Sequence, residues 1–459
     1  MFLTILLGLL ALAAAGYWFG RVRAVSVASG RLRSLHSLPA YHGAYVALWA
    51  GLPSLLLVLV WLSLQGPVID ALLIQSLPAS IVADADAGHI DLILSEIKSV
   101  SRGQIFDTPG PEILAAAERY GRWGQIAQWS MVASAAALAI IALLAAPGPI
   151  SARFRARNRV ERIVTGLLIF SSVVAIVTTA GIVLSLLFEA SHFFRLVPWH
   201  DFFFGLSWEP QIAIRADQIA GAGAFGAIPV FAGTLLIAFI AMAVAAPVGL
   251  LSAIYLAEYA DARVHAVVKP LLEILAGIPT VVYGFFAVLT VAPALRQFGE
   301  TIGIAVAPNS ALAAGAVMGI MIIPFVSSFS DDALNAVPQA MRDGSYALGA
   351  TQAETIKSVL IPAALPGIVG GLLLAVSRAI GETMIVVMAA GLIATLTANP
   401  LEGVTTVTVQ IVTLLIGDTE FDSPKTLAAF ALGLVLFFAT LALNVLALHI
   451  VRKYREQYE

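Results

Sequence analysis

Cysteine is absent from the 459 residues, and charge is scarce, with Asp, Glu, Lys and Arg together making up 12%. The first absence excludes disulfides and thiolate metal sites. The second excludes a water-soluble fold, in which about 25% of residues are charged. A net charge of -3 offers no basic surface to a nucleic acid. The sequence holds no Gly-x-x-x-x-Gly-Lys-Ser/Thr phosphate loop, so any ATP hydrolysis that drives this protein belongs to another chain. There is no His-Glu-x-x-His either, and the seven histidines form no spaced ligand cluster. Internal repeats and low-complexity tracts are also missing. No cofactor is called for.

What the chain has in quantity is apolar: 60% hydrophobic residues and a mean hydropathy of +0.94. Nine segments are long enough to cross a bilayer as helices: 1–19, 43–64, 127–146, 163–188, 229–256, 270–294, 311–330, 363–394 and 426–451. In lipid every backbone N–H and C=O must be bonded within the segment, and these runs are too long and too uniform for barrel strands. The expected fold is therefore an all-α polytopic membrane bundle.

Lys and Arg flanks tend to remain in the cytoplasm. With the carboxyl terminus placed inside, the denser groups fall on the inner side: Arg21, Arg23, Arg31 and Arg33; Arg153, Arg155, Arg157, Arg159 and Arg162; Arg263 and Lys269; Arg342 and Lys357; Arg452, Lys453 and Arg455. The outer side receives fewer: Lys98, Arg102, Arg119, Arg122, Arg195, Arg215, Arg296 and Lys425. This predicts an external amino terminus. The first span is expected to be retained, because its positive residues follow the apolar run, at Arg21 and Arg23, whereas a signal peptide carries them before it.

Breakers and a basic run at 147–162 separate three amino-terminal spans from six later ones, and set an expected boundary between 1–162 and 163–459. An outer segment, 65–126, has Pro111 placed to start a short helix through Glu118 and Tyr120. A second outer loop, 189–228, is crowded with aromatics, among them Phe193, Phe194, Trp199, Phe202, Phe203, Phe204 and Trp208; an interfacial aromatic belt accounts for most of them.

The inner loop 332–362 spells helix, turn, helix. Pro338 suits a first helical turn, Gly349 the left-handed position that ends it, and Thr351 with Glu354 a capping box for the next helix. Pro362 marks a break before the eighth span. Within that span lie Arg378 and, four residues on, Glu382, which a continuous helix places on one face. Charge in mid-membrane is costly, roughly 2.5 to 3.5 kcal/mol on insertion scales. One reading is a self-neutralising salt bridge. The other is an anion pathway, in which a guanidinium fork meets a tetrahedral oxyanion and the nearby carboxylate keeps it from binding too tightly. A carboxylate can also accept a hydrogen bond from protonated phosphate that sulfate cannot offer.

The loop resembles the EAA loop of ABC importer permeases: Asp343 precedes Gly349 by six positions, and Val359-Leu360-Ile361-Pro362 stands where that motif has Ile-x-Leu-Pro. Asp343-Gly344-Ser345 replaces the Glu-Ala-Ala triplet. The run Arg378-Ala-Ile-Gly-Glu-Thr-Met384 is similar to a segment of the PstC-type phosphate permeases, as are Ala276-Gly-Ile-Pro-Thr-Val-Val-Tyr-Gly-Phe-Phe286 and Ser252-Ala-Ile-Tyr-Leu-Ala-Glu-Tyr259. The likeness covers about 163–451. It implies a six-helix type I importer core that is a transporter subunit rather than an enzyme, and a coupling helix at 338–347, with Asp343, Gly344, Ser345, Gly349 and Pro362 in the ATPase-coupling loop. It also implies a phosphate pathway through Arg378, Glu382 and Thr383. The implied partners are a PstA-type second permease, a PstB-type ATPase dimer and a periplasmic PstS-type phosphate-binding protein. The alternatives are a permease for another oxyanion, or an ion-coupled secondary transporter, which also uses broken helices and a membrane-centred charge.

Overall fold

Why these residues form helices follows from the solvent: long apolar runs in lipid must satisfy their backbone internally. The computed structural model describes residues 2–28, 35–78, 87–103, 110–211, 223–416 and 423–454. Arg31, Arg33, Arg215 and Arg455, used above to orient the chain, lie outside the described residues. Among those described, nine helices are long and apolar enough to cross a membrane, and every one overlaps an expected span. The chain forms two compact units, Met1–Ile176 and Val177–Glu459.

The first unit packs α1 (Phe2–Val27), α2 (Pro39–Ser76) and α4 (Pro111–Ala145) together, with α3 (Ala87–Ser101) against the ends of α2 and α4. Leu9, Val58, Met131, Ala135 and Ala139 fill the middle of the three-helix contact. At one end Lys98 Nζ donates to Asp70 Oδ2 at 2.8 Å. Pro111 does start a helix, as expected, but that helix is not short. It continues to Ala145 and includes the third span, because Tyr120 and Trp123 are covered by α3 and the chain has no reason to leave the helix there.

The second unit begins within α5 (Ala156–Leu196) and continues through α6 (Trp199–Phe204) and a two-stranded antiparallel ribbon, β1 (Trp208–Glu209) on β2 (Ala224–Phe225). Phe193, Phe202, Trp208 and Phe225 are buried in one cluster, so these aromatics are core. Trp199 and Phe204 remain exposed, as an interfacial belt requires.

The heart of the unit is α7 (Ile228–Ile254) against α11 (Ala311–Asn335). Their contact is lined by small residues: a Cβ on Gly319 would stand 2.8 Å from Val244, and one on Gly249 the same distance from Val326. Close backbone approach of this kind is how helices associate where no hydrophobic effect drives them. Between these two helices come α8 (Ala262–Ala276), α9 (Thr280–Phe286) and α10 (Ala292–Thr301). The span expected at 270–294 starts later: from Thr280 the helix runs unbroken through a π-turn at Ala287–Val291 to Thr301 and is itself long and apolar enough to cross, while α8 is a separate helix before it. Gly277-Ile278-Pro279 separates the two, and Tyr283 Oη donates at 2.9 Å to the carbonyl of Leu275, which also accepts from Ile278 N at 3.3 Å, so the turn is tied across.

After α11 come α12 (Gln339–Ala347), α13 (Gln352–Thr355), α14 (Ile361–Gly381), α15 (Met384–Ala389), α16 (Val407–Leu415) and α17 (Pro424–Tyr454). Two expectations need correction here. The eighth span does not run to 394: α14 stops at Gly381, and Glu382 is extended at φ -70, ψ 133. Pro362 does not break the chain, because a π-turn at Ile356–Leu360 widens the helix just before it and carries the helix from α13 into α14.

Candidate functional site

The depth of Arg378 can be read from the packing of α14 on α11. A Cβ on Gly367 would meet Ala333 at 2.8 Å and one on Gly371 would meet Phe329 at 2.7 Å, so the helices run antiparallel in step. At a common rise of about 1.5 Å per residue, Arg378 comes level with Ile322, close to the middle of the 25-residue α11. Its guanidinium sits 5.8 Å from the centre of the Phe325 ring, one turn lower. The far end of the broken span is fixed by Ser310 N, which donates to Ala389 O at 3.2 Å at the start of α11. Thus α14, the break at Glu382-Thr383 and α15 together make one discontinuous span, interrupted near mid-depth.

The break has a local cause. Glu382 Oε1 accepts from the backbone N–H of Met384 at 3.1 Å, an i to i+2 bond that competes with helix. The carbonyl of Glu382, left without a helical donor, accepts from Thr408 Oγ1 at 2.9 Å. Thr408 in turn lies 3.0 Å from Thr406 Oγ1, and Thr406 caps the start of α16. Thr383 Oγ1 makes only a long bond, 3.4 Å, to Gly381 O.

These facts separate the two charges that a continuous helix would align. Among the described residues Arg378 has no carboxylate within 4.0 Å, so the self-neutralising pair is not formed. Arg378 is exposed on the surface of the chain, whereas Glu382 and Thr383 are half-buried beside it. The span that starts with α9 lies next to this break: a Cβ on Gly284 would stand 2.6 Å from the Met388 sulfur and 3.3 Å from Met384 O on α15.

The loop residues form a second constellation at the opposite end of α14. Helix α12 ends in a Schellman turn: Ala350 N donates to Ser345 O at 3.2 Å, Gly349 N donates to Tyr346 O at 2.9 Å, and Gly349 has φ +84. The capping box is present, with Thr351 N donating to Glu354 Oε2 at 2.8 Å. Asp343 and Gly344 are exposed, Ser345 Oγ lies 2.8 Å from Thr355 Oγ1, and Pro362 occupies the first turn of α14. Leu348, at the tip, is 90% exposed.

Sequence reasoning missed three participants. Glu258 and Arg342 form a half-dry ion pair at 2.9 Å, with side chains 6% and 11% exposed. Their separation of 84 residues leaves no local spacing to read. Thr408 is equally silent, a threonine in an apolar run 26 residues from its partner. The only signal was Glu258 within the stretch 252–259, noted above for likeness alone.

Comparison with known proteins supports this architecture. A model described as a phosphate ATP-binding cassette transporter matches residues 6–178, and one described as a binding-protein-dependent transport system inner membrane component matches 245–456. The "Probable ABC transporter permease protein YqgH" of Bacillus subtilis is 35% identical over 51% of this chain and 72% of its own. The phosphate transport system permease protein PstC 1 of Mycobacterium bovis is 32% identical over 57% and 82%, and PstC of Xylella fastidiosa 30% identical over 54% and 77%. Among solved structures, the inward-facing MetNI methionine ABC transporter gives a TM-score of only 0.37 at 19% identity, covering 50% of this chain and 95% of that one. With two thirds or more of these permeases spanned at 30% identity or better, and an all-helical membrane core to match, the chain belongs to the PstC-type permease family of binding-protein-dependent ABC importers.

Proposed function

We propose that this permease carries inorganic phosphate inward across the inner membrane, with Arg378 at the centre of the path and α12 as the helix that docks on an ATPase. Residues 163–459 serve as the transport domain and 1–162 as an accessory membrane extension. The amino terminus lies outside and the carboxyl terminus in the cytoplasm, which puts α12 on the cytoplasmic side. The working assembly pairs the chain with a PstA-type permease, a PstB-type ATPase dimer and a PstS-type binding protein.

One observation carries the substrate side: an exposed arginine, level with the middle of α11 and with no carboxylate within 4.0 Å among the described residues, beside a broken helix. Facing lipid, such a residue is penalised by roughly 2.5 to 3.5 kcal/mol or more. Its surface is therefore one that a partner helix or a water-filled passage covers. A guanidinium without a counter-ion keeps its donors for a passing oxyanion. Glu382 has Oε1 bonded to Met384 N, which leaves Oε2 to accept a proton-bearing phosphate oxygen. Thr383 contributes a hydroxyl at the same level, held only by a 3.4 Å bond.

The test is reconstitution. The purified chain with its co-purifying permease and ATPase, in vesicles, is expected to take up phosphate only with ATP, and Arg378→Gln to abolish uptake while leaving the assembly intact. Uptake by the chain without any ATPase would overturn the importer reading in favour of an ion-coupled transporter.

A further inference from the structure

Arg342 lies on α12, the helix read above as the coupling helix, yet it does not point toward a docking partner. It is 9% exposed and turned inward. Nη2 and Nε donate to Glu258 Oε1 at 2.9 and 3.2 Å, Nη2 also to Leu334 O at 3.0 Å, and Nη1 to Val337 O at 2.7 Å. One guanidinium therefore ties three pieces of chain together.

Each tie answers a local need. Leu334 belongs to the last turn of α11, where the helix dipole ends negative, so a cation there is favoured beside the 3.2 Å bond its carbonyl already takes from Val337 N. Glu258 sits in a π-turn, Tyr255–Tyr259, that extends α7. The Glu258 carbonyl accepts from Gln352 Nε2 at 2.6 Å, from the start of α13. On the other side of α12, Ser345 meets Thr355, which immediately precedes the π-turn Ile356–Leu360. The helix is thus held between two wide turns, on α7 and before α14. Wide turns of this kind cluster where a helix has to bend for function.

We infer that the Arg342–Glu258 pair is the joint through which α12 moves α7 and α11 as one body, so that both are positioning residues for energy coupling. Neither touches substrate or the ATPase. Single removal leaves a charge buried without its partner, which is strongly destabilising for the contact, while exposed residues of α12 such as Asp343 have no comparable hold on the membrane helices. The joint transmits displacement because it is desolvated and multiply bonded; a lone surface ion pair would give way.

The inference rests on α12 being the docking helix, and the experiment separates the two. The chain has no native cysteine, so Leu348→Cys gives a unique thiol at the exposed tip, to be labelled with benzophenone maleimide in the assembled complex. Photocapture of the ATPase tests docking. Arg342→Gln and Arg342→Lys, each with and without the label, then test the joint by phosphate moved per ATP hydrolysed. The expected result is capture in every background, with that ratio falling roughly 5- to 100-fold in Arg342→Gln, the range of a typical coupling free energy, and less in Arg342→Lys. Restoration by the swap Arg342→Glu with Glu258→Arg would support the pair itself. Capture with an unchanged ratio in Arg342→Gln overturns the joint and leaves docking standing. No capture from position 348 overturns the docking role, and the joint with it. If Arg342→Gln does not assemble, the Arg342→Lys ratio decides, and an unchanged value there overturns the joint.

Discussion

Gly349 offers the sharpest test of the loop, because its constraint is purely conformational. The residue has φ +84, and a Cβ built on it meets no atom within 4 Å. Crowding therefore contributes nothing, and any penalty on substitution is that of the left-handed backbone. For an L-residue that is about 1–2 kcal/mol, with more for a β-branched one, whereas Asn tolerates the region at little expense. Two hydrogen bonds of the Schellman turn depend on this conformation, those to Ser345 O and Tyr346 O. At about 1.4 kcal/mol per factor of ten, Gly349→Ala lowers the population of the correctly set turn roughly 5- to 30-fold relative to the misdirected turn, and Gly349→Val lowers it further. The expected order of ATP-driven uptake is Gly, then Asn, then Ala, then Val, with Val near background and equal amounts of chain in the membrane throughout, since the turn lies outside the spans. Uptake is measured in vesicles against chain content by immunoblot. Full uptake with Gly349→Val, or Asn as damaging as Val, would refute the reasoning.

Other substitutions probe the break. Arg378→Lys keeps the charge but loses the planar fork, so its uptake should fall well below the parent and exceed that of Arg378→Gln, as read by initial rates at saturating phosphate; equal rates for Lys and Arg would argue against bidentate contact. Glu382→Gln is expected to narrow the discrimination between phosphate and sulfate in competition assays, and an unaltered selectivity would remove the carboxylate from that role. Thr408→Val leaves the half-buried Glu382 carbonyl without this donor, a loss of about 1 kcal/mol. It should slow transport while Thr408→Ser restores it, and a Val variant as fast as the parent would show that the bond does not position Glu382.

Much of this was legible because it is local. Gly349, the Thr351–Glu354 box and the start at Pro338 are each set by neighbours within a few residues, and the structure places them as chain chemistry dictates. The break at Gly277-Ile278-Pro279 is local in the same sense, glycine and proline each weakening a helix, and it separates α8 from α9. The end of α14 at Gly381 was not visible: apolar residues continue past it, and hydropathy registers contact with lipid or core, not continuity of the backbone. A half-helix followed by another half-helix has the same hydropathy as one span. Long-range bonds were invisible in principle, since nothing near Glu258 announces Arg342 and nothing near Glu382 announces Thr408.

The kinds of bond at the two ends of α14 decide where the span yields. At the loop end, α12 is held by a guanidinium with four donor contacts, two of them to a carboxylate. Hydrogen bonds to charged groups contribute about 1.5–3 kcal/mol each, and neutral ones about 0.5–1.5. At the break each contact is single: Met384 N to Glu382 Oε1 at 3.1 Å, Thr408 Oγ1 to Glu382 O at 2.9 Å and Thr383 Oγ1 to Gly381 O at 3.4 Å. On the proposal that α12 docks on an ATPase, displacement applied there meets the multiply bonded Arg342 contacts first, and the singly bonded break beside Arg378 is where the span is expected to yield. On the same proposal, the break at Gly277-Ile278-Pro279 frees α9, which touches α15 at Gly284, to follow it. A large fall in transport from Thr408→Val with the Arg342 joint intact is what this division of strength requires, because the hydroxyl that holds the break also sets how far it opens.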